Sequence, residues 1–412
     1  MTEMTTKPIE PASGALNALR RGDWLDGARV AGWGRTLFIV EILAVLAIAA
    51  GTYGAYVHLD APSSTDFISF FAAGRLADLG TAPLAYDPAA HYAMEQTVFG
   101  DPRLPYAYFF FYPPTFLLIC AALALSPSYL AAFALWIGAT GALFVLALHR
   151  IVKRWPLTIA FLSYPAMLAT AGIGQNSLLT AALFGFGTYL IDRNPVASGL
   201  LLGAAVYKPH LLAMVPVAFL FGRHWRALAA FFVSASAITL LSLLFFGLGT
   251  WQAFLAEAES AAQSFTAGRV GYAGLISFFA AARLLGADAY SAYGLQIAVA
   301  LLAALVTAWA WGRNLSLPVR ALVLIAASLI APHVILFYDL LPAAIAIAWL
   351  VIDARKTGFL PWEKALLCLV WIVPIVSRGI GIAWGAPVGP LATVALFGLA
   401  VARARNEARR PA

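Results

Sequence analysis

Residues 106–128 read YAYFFFYPPTFLLICAALALSPS, and whether this stretch crosses a membrane decides the fold. It is long and apolar, but prolines interrupt its beginning and a Ser-Pro-Ser sequence ends it. If it crossed, the basic cluster beyond the next apolar run would lie on the opposite side from the chain's other basic clusters. That cluster consists of Arg150, Lys153 and Arg154. We therefore predict that residues 106–125 lie in or dip into the outer leaflet without spanning it.

The composition of the 412-residue chain places it in a membrane. Hydrophobic residues make up 62% of the sequence and charged residues only 11%, whereas soluble domains are about half apolar. Apolar runs of roughly 15–25 residues recur along the chain and match helices that cross a ~30 Å hydrocarbon core. The net charge of +7 comes from short clusters between these runs. Such clusters set orientation in the membrane, so the charge does not indicate nucleic-acid binding.

The basic clusters predict an all-α polytopic membrane protein with twelve transmembrane helices and both termini in the cytoplasm. We expect spans at residues 36–57, 129–149, 156–171, 177–191, 196–208, 209–221, 227–247, 289–312, 318–331, 337–352, 362–377 and 384–402. A cytoplasmic tail (1–35), which does not resemble a cleavable signal, precedes one integral-membrane domain (36–402), and a basic tail (403–412) follows. Two large external segments, 58–128 and 248–288, carry interfacial helices.

The sequence contains no recognisable metal or cofactor motif. Cys120 and Cys368 lie inside apolar runs, which favours packing over a disulfide or a metal pair. The phosphate-binding loop, the dinucleotide fingerprint and the His-Glu-x-x-His pattern are all missing from the sequence. We therefore expect no metal and no cofactor.

The first external segment concentrates carboxylates in a chain with few charges. Its acidic residues are Asp60, Asp66, Asp78, Asp87, Glu95 and Asp101, against Arg75 and Arg103. Asp66 precedes a stretch that reads as an amphipathic helix. It is either a helix N-cap, favoured by free backbone N–H groups, or a base whose pKa is tuned by partial burial. The two interpretations are compatible.

Other polar residues are predicted at the same external face. Gln175 and Asn176 join two short spans, and they either bind sugar hydroxyls or satisfy helix ends. Lys208 lies in an apolar stretch, where it must snorkel or pair with an anion such as phosphate. His333 and Arg269 are further candidate phosphate contacts, although a helix-end histidine and a solvated arginine are also common without a function.

Five blocks of sequence, taken in order, resemble glycosyltransferase family 87. They are Asp66–Gly80 with Tyr86-Asp87, Phe111–Pro114, Gly174–Asn176, Gly199–Pro209, and Pro332-His333 with Tyr338-Asp339. The resemblance implies the multi-span type C glycosyltransferase fold. It also implies transfer of a sugar, with mannose favoured, from a polyprenyl-phosphate–sugar donor to a lipid-linked or cell-envelope glycan. The reaction would take place on the periplasmic side of a bacterial cytoplasmic membrane.

The same resemblance assigns site residues. Asp66 matches the acidic residue that acts as general base, and His333 matches a residue near the donor phosphate, where we also expect Lys208 and Arg269. The residues expected to contact the sugar or the acceptor are Gln175, Asn176, Tyr112 and Tyr338. Family members often carry a tryptophan and paired histidines around the position of His333. This chain does not, which leaves the sugar and the acceptor open.

The expected reaction is a single displacement with inversion. Asp66 takes the proton of the attacking hydroxyl, and Lys208, His333 or Arg269 stabilises the leaving phosphate. Two other functions stay open: a lipid or glycan flippase, which internal repeats with broken helices would favour, and a lipid-diphosphate-dependent glycan polymerase or ligase. The partners expected are the donor, the acceptor and membrane lipids, without nucleic acid.

Overall fold

The chain forms nineteen α-helices in the part that the structure describes. The computed structural model describes residues 11–52, 65–100, 102, 104, 106–269 and 271–410. In chain order the helices are α1 (Pro11–Arg21), α2 (Gly27–Thr52), α3 (Phe67–Asp78), α4 (Pro88–Phe99), α5 (Pro114–Ala124), α6 (Tyr129–Val152), α7 (Trp155–Leu162), α8 (Ala166–Ile173), α9 (Ser177–Leu190), α10 (Pro195–Gly203), α11 (Pro209–Leu212), α12 (Met214–Phe221), α13 (Trp225–Thr266), α14 (Phe278–Leu284), α15 (Ala289–Trp311), α16 (Leu317–Ile330), α17 (Pro342–Thr357), α18 (Glu363–Trp384) and α19 (Pro390–Ala408). Short 3-10 helices cover Ala82–Tyr86, Ala204–Tyr207, Tyr272–Gly274 and Phe337–Leu340. The prediction of an all-α fold is confirmed.

Some predicted features lie outside the described residues. They are the first ten residues of the N-terminal tail, the end of the first predicted span (53–57), the last two residues of the C-terminal tail, and Asp60, Asp101 and Arg103 of the first loop.

Six helices in the described part of the chain are long and apolar enough to cross a membrane. They are α2, α6, α13, α15, α18, and α17 together with the 3-10 turn before it. The bent pair α7 and α8 gives a seventh span if it is counted as one. The chain is therefore a multi-pass membrane protein, but twelve spans are not shown. The other predicted positions hold shorter helices such as α9, whose 14 residues extend only about 21 Å.

Residues 106–125 form no long helix. The chain is extended up to Pro113, and α5 then covers only 11 residues, about 17 Å in a helix. That length is too short for a ~30 Å core. α5 packs along α3, with Cys120 fully buried at this position. Both cysteines are free thiols.

Proline and glycine set where the helices break. Pro165 separates α7 from α8, which meet at 68°, and Pro209 begins α11 directly after Lys208. Gly247 has a φ of 76° inside α13, a conformation that is strained for other residues. This kink divides α13 at the position where the sequence predicted the end of a span.

Three helices, α9, α16 and α17, pack together in the core and define two ends of the bundle. At one end, Arg320 donates to Asp192 at 2.7 Å and lies 3.1 Å from the Nε2 atom of His224. These contacts join three loops that carry basic residues. We call this the basic end. The opposite ends of the same three helices carry Ser177, His333 and Asp339. We call that the site end.

A buried ion cluster fastens the last three helices near the basic end. Arg403 of α19 is 1% exposed. It donates to Asp353 at 2.7 Å, to the carboxylate of Glu363 and to the Gly358 carbonyl oxygen at 2.8 Å. The guanidinium therefore connects α17, α18 and α19 with both acidic partners neutralised.

Candidate active site

Asp66 lies at the start of α3, but its side chain does not cap that helix. It occupies the N-cap position with no side-chain cap hydrogen bond. Instead, its Oδ2 atom accepts a hydrogen bond of 2.7 Å from Nε2 of Gln175. Burial raises the pKa of the Asp66 carboxyl, and the Gln175 hydrogen bond and the positive charge of Arg378 partly offset this effect. The carboxylate is thus held by a side chain from a distant loop.

Gln175 is oriented by a third residue. Its Oε1 atom accepts a hydrogen bond of 3.0 Å from the hydroxyl of Tyr112. A hydroxyl that donates to Oε1 fixes the amide so that its NH₂ group faces Asp66. The result is a chain of three side chains, from Tyr112 through Gln175 to Asp66.

Glycine brings this chain of side chains together. Gly174 ends α8 with a φ of 78°, the left-handed conformation usual for a helix C-terminus. A Cβ atom at this position would lie 2.5 Å from Cβ of Phe67. Gly174 therefore allows the end of α8 to meet the start of α3, and the neighbouring Gln175 reaches Asp66.

Lys208 forms a buried ion pair. It is 2% exposed, and its Nζ atom lies 2.5 Å from Oδ1 of Asp339 and 3.2 Å from Oγ of Ser177. Tyr338 packs beside it, with the ammonium 5.6 Å from the ring centroid. Of the two interpretations of the sequence, the structure shows pairing with an anion, but that anion is a carboxylate of the chain itself.

An aromatic wall joins the two groups. The Tyr112 and Phe116 rings lie 4.8 Å apart and those of Phe116 and Tyr207 lie 5.2 Å apart. The Tyr207 hydroxyl is 2.9 Å from Oγ1 of Thr180. The wall runs from the Asp66 side to the residue before Lys208, so both polar groups belong to one site.

Asn176 is buried between these groups with its polar atoms unused. It is 0% exposed. In the described residues neither its amide nitrogen nor its amide oxygen has a hydrogen-bond partner. Buried amides are normally satisfied. The Tyr112 hydroxyl is close enough to interact weakly with this amide, so part of its hydrogen-bonding capacity remains unfilled.

His333 lies at the rim of the site end. Its side chain is exposed on one side and packs against the rings of Phe279 and Tyr293, at 6.1 and 5.6 Å. Partial burial lowers the pKa of His333. His210 is close enough to feel the charges of Lys208, Asp339 and His333. The structure therefore brings His333 to the Lys208 side of the site.

Arg269 is not brought into the site. Its side chain is exposed, and in the described part of the chain its only hydrogen bond is from its backbone N–H to the Ser264 carbonyl oxygen, at 3.0 Å.

Arg378, which the sequence reasoning missed, is close enough for its charge to act on Asp66. It is exposed on α18 and makes no ion pair within the described ranges. The sequence does contain a signal for this residue: Arg378 lies in the apolar run of α18, and a charge is costly in a membrane helix unless it has a function.

Comparison with known protein families gives the decisive observation. The sequence profile of glycosyltransferase family 87 matches residues 110–337, more than half of the chain. The chain belongs to glycosyltransferase family 87. No curated protein and no solved structure matches it. The predicted family is confirmed, and the matched region includes the second, third and fourth sequence blocks in full.

This family 87 member is a membrane glycosyltransferase, so it acts on a sugar donor and an acceptor. Most of the predicted site residues lie within the matched region: Tyr112, Gln175, Asn176, Lys208, Arg269 and His333. Asp66 lies before the matched region, and Tyr338 and Arg378 lie after it. Among the described residues no group of histidine, cysteine and acidic side chains is suited to hold a metal ion.

Proposed function

We propose that this glycosyltransferase moves a sugar from a polyprenyl-phosphate–sugar donor to a lipid-linked or cell-envelope glycan, with Asp66 as general base. Mannose is the proposed sugar, from the family resemblance. One observation carries the proposal: a carboxylate of raised pKa, oriented by Gln175, faces the end of the bundle where unpaired polar groups collect. A base is most effective when its pKa approaches the working pH.

The proposed step is a single displacement with inversion. The acceptor hydroxyl oxygen forms a bond to the anomeric carbon while the bond from that carbon to the phosphate oxygen breaks. Asp66 takes the hydroxyl proton, and the polyprenyl phosphate leaves with the electron pair of the broken bond. Gln175 holds Oδ2, so we assign the proton to Oδ1.

Positive groups around the site suit the departing phosphate. Arg378 is exposed and without an acidic partner in the described residues, and His333 lies at the rim. Lys208 also remains a proposed phosphate contact, although it would first have to release Asp339. Arg269 remains one too, and would have to move in from its exposed position.

Asn176 supports binding of a sugar at the same place. Sugar hydroxyls both donate and accept, which matches a buried amide whose hydrogen bonds are not all filled. We further propose that Tyr112 and Tyr338 form the wall against which the sugar or the acceptor lies. Gln175 would share in this binding while it holds Asp66.

We also propose that the site end faces the periplasm across a bacterial cytoplasmic membrane, with twelve crossings. The contacts of Arg320 with Asp192 and His224 support this orientation, because they gather basic loops at the opposite end of the bundle. Such loops stay in the cytoplasm.

The test is transfer by the purified full chain in lipid nanodiscs, with labelled polyprenyl-phosphate mannose and an extract of envelope lipids. Asp66→Asn should lower transfer by at least about 100-fold, the range for loss of a general base. Asp78→Asn, an exposed change at the other end of α3, is the matched control and should transfer normally. A polyprenyl-diphosphate donor should not replace the monophosphate.

A loss of transfer in Asp66→Asn should not be caused by a loss of folded protein. Because the pKa of Asp66 is raised on folding, its ionised form destabilises the native state as the pH rises through that pKa. The neutral asparagine should therefore unfold at the same temperature as the wild type or higher at neutral pH. Transfer by Asp66→Asn at the wild-type rate would refute the base assignment.

A further inference from the structure

The loop that carries His333 begins where α16 can no longer continue. α16 ends at Ile330, and Pro332 has no backbone N–H with which to extend it. The last carbonyl groups of a helix have no partners within the helix and need them elsewhere. In a membrane protein such groups are costly when they stay unpaired. The position of His333 therefore depends on the groups that satisfy the end of α16.

Gln296 of α15 is the side chain that satisfies this helix end. It is 4% exposed. Its Nε2 atom donates to the carbonyl oxygens of Ile330 at 3.1 Å and Ala331 at 2.8 Å, and its Oε1 atom accepts from the backbone N–H of Phe279 at 3.1 Å. Polar side chains in membrane helices commonly bond across to neighbouring helices in this way. One glutamine thus joins α15, the end of α16 and the start of α14.

Ser277 holds the backbone of His333 itself. Ser277 is 2% exposed and caps α14, where its Oγ atom accepts from the Ala280 N–H at 3.2 Å. The same hydroxyl donates to the His333 carbonyl oxygen at 2.6 Å. One residue earlier, the backbone N–H of Ile276 donates to the Ile335 carbonyl oxygen at 3.0 Å. The chain that leads into α14 therefore fixes the loop at His333 and again two residues later.

The imidazole of His333 is oriented by packing against two rings. The ring centroids of Phe279 and Tyr293 lie 6.1 and 5.6 Å from it and 4.4 Å from each other. Within the described residues the imidazole makes no hydrogen bond, so neither ring nitrogen is bonded to this part of the chain. The direction of the imidazole is therefore set by its backbone and by these two rings.

We propose that Gln296 and Ser277 are positioning residues that direct the His333 imidazole toward the donor phosphate. The inference rests on the proposed function, in which His333 contacts that phosphate, and adds the residues that fix its geometry. Neither residue touches the donor, because each acts through the backbone on one side of the imidazole. Such support matters, since a displacement of about 1 Å can lower a rate about 100-fold.

The first measurement follows the His333 ring by NMR. The full chain is placed in nanodiscs with its histidines isotopically labelled at Cε1, and the His333 signal is assigned by its loss in His333→Gln. The neighbouring rings of Phe279 and Tyr293 act on this signal through their ring currents, so it responds to small movements of the imidazole. We expect Ser277→Ala to shift the signal and Gln296→Leu to shift it further.

Ser128→Ala is the matched control. Ser128 caps α6 by accepting from the Ala131 N–H at 3.2 Å, so the change removes the same kind of cap from another helix. The His333 signal should stay in place in this variant. Gln296→Leu leaves three backbone groups without their partner, and Ser277→Ala keeps the test valid if that variant does not fold. An unchanged His333 signal in folded Ser277→Ala would overturn the inference.

The second measurement is the affinity for polyprenyl phosphate, the lipid that leaves in the proposed step. His333→Gln should weaken binding about tenfold, as for a hydrogen bond to a charged group, and Ser277→Ala about fivefold. The double variant should bind no more weakly than His333→Gln, because both changes act through the same imidazole. Losses that add in the double variant would show that Ser277 acts by another route, and would also overturn the inference.

The two measurements separate this inference from the proposed function. A His333 signal that shifts in Ser277→Ala, together with normal polyprenyl-phosphate binding by His333→Gln, would reject the phosphate contact of the proposed function and keep the positioning. A signal that does not shift, together with weaker binding by His333→Gln, would reject the positioning alone.

Discussion

The two ends of α17 each carry a buried ion group, and they differ in what surrounds them. At the C-terminal end, Arg403 satisfies Asp353 and Glu363 and also bonds the Gly358 carbonyl oxygen. At the N-terminal end, Lys208 and Asp339 pair next to helix breaks and next to the buried amide of Asn176. A buried ion pair alone therefore does not mark a functional site. The proposed site differs because the buried amide of Asn176 beside the pair lacks a full set of hydrogen bonds.

The largest effect is expected at the Arg403 cluster, to which the comparison gives a purely structural role. Arg403→Met would leave Asp353 and Glu363 buried without a partner, which costs about 3–5 kcal/mol. We expect a large fall in the thermal unfolding midpoint and in folded yield, measured by size-exclusion chromatography after heating. Transfer per folded molecule should stay within about twofold, because the cluster lies at the far end of α17. An unchanged unfolding midpoint would show that the cluster does not stabilise the fold.

The second test concerns the pair at the site end. Lys208→Met combined with Asp339→Asn removes both charges, so neither is left buried alone and the loss of stability should be smaller than for Arg403→Met. Transfer should nevertheless fall about 100-fold, as when an electrostatic group is removed from an active site. Labelled-donor assays on folded protein measure this. Transfer at the wild-type rate would show that the Lys208–Asp339 pair has only a structural role, as the Arg403 cluster does.

The pH dependence of transfer tests whether Gln175 tunes the proposed base, Asp66. Gln175→Leu removes a hydrogen bond that lowers the pKa of Asp66, so this pKa should rise. Because only the ionised carboxylate accepts the proton, the acid limb of kcat/KM should move to higher pH by about one unit, the value of one charged hydrogen bond. Gln252→Leu, an exposed change on α13, should leave the profile in place. An acid limb that does not move would separate Gln175 from the base.

The smallest effect is expected at Tyr112. Tyr112→Phe removes the hydroxyl that orients the Gln175 amide but keeps the ring in the aromatic wall. A single neutral hydrogen bond amounts to about 1 kcal/mol, so kcat should fall roughly fivefold. The donor KM should hardly change. A larger change in donor KM than in kcat would show that Tyr112 contacts the donor rather than the base.

The sequence predicted those features that arise locally. Apolar runs and prolines located the helices, the short α5 and the breaks beside Lys208, because these signals act within a few residues. Asp66 and Gln175 were both singled out, although their contact was not. The partner of Lys208 was missed because Asp339 lies 131 residues away, and no local pattern records which distant loops meet. The same holds for Arg378, whose charge acts on Asp66 from a distant helix.

The number of spans was harder to predict for a different reason. Positive charges report only the side on which a loop lies. They do not report whether a short helix such as α9 crosses the whole core or ends at a polar site inside it. The described part of the chain contains both long apolar helices such as α6 and short ones such as α9.

The position of Arg403 has a consequence for synthesis of the chain. Until α19 is made, Asp353 and Glu363 have no cation to neutralise them, and the ends of α17 and α18 cannot settle together. A polypeptide stopped before residue 403 should be recognised by membrane proteases as incomplete. The packing of α17 and α18 near the basic end thus depends on a residue that follows Glu363 by 40 positions and Asp353 by 50 in the order of synthesis.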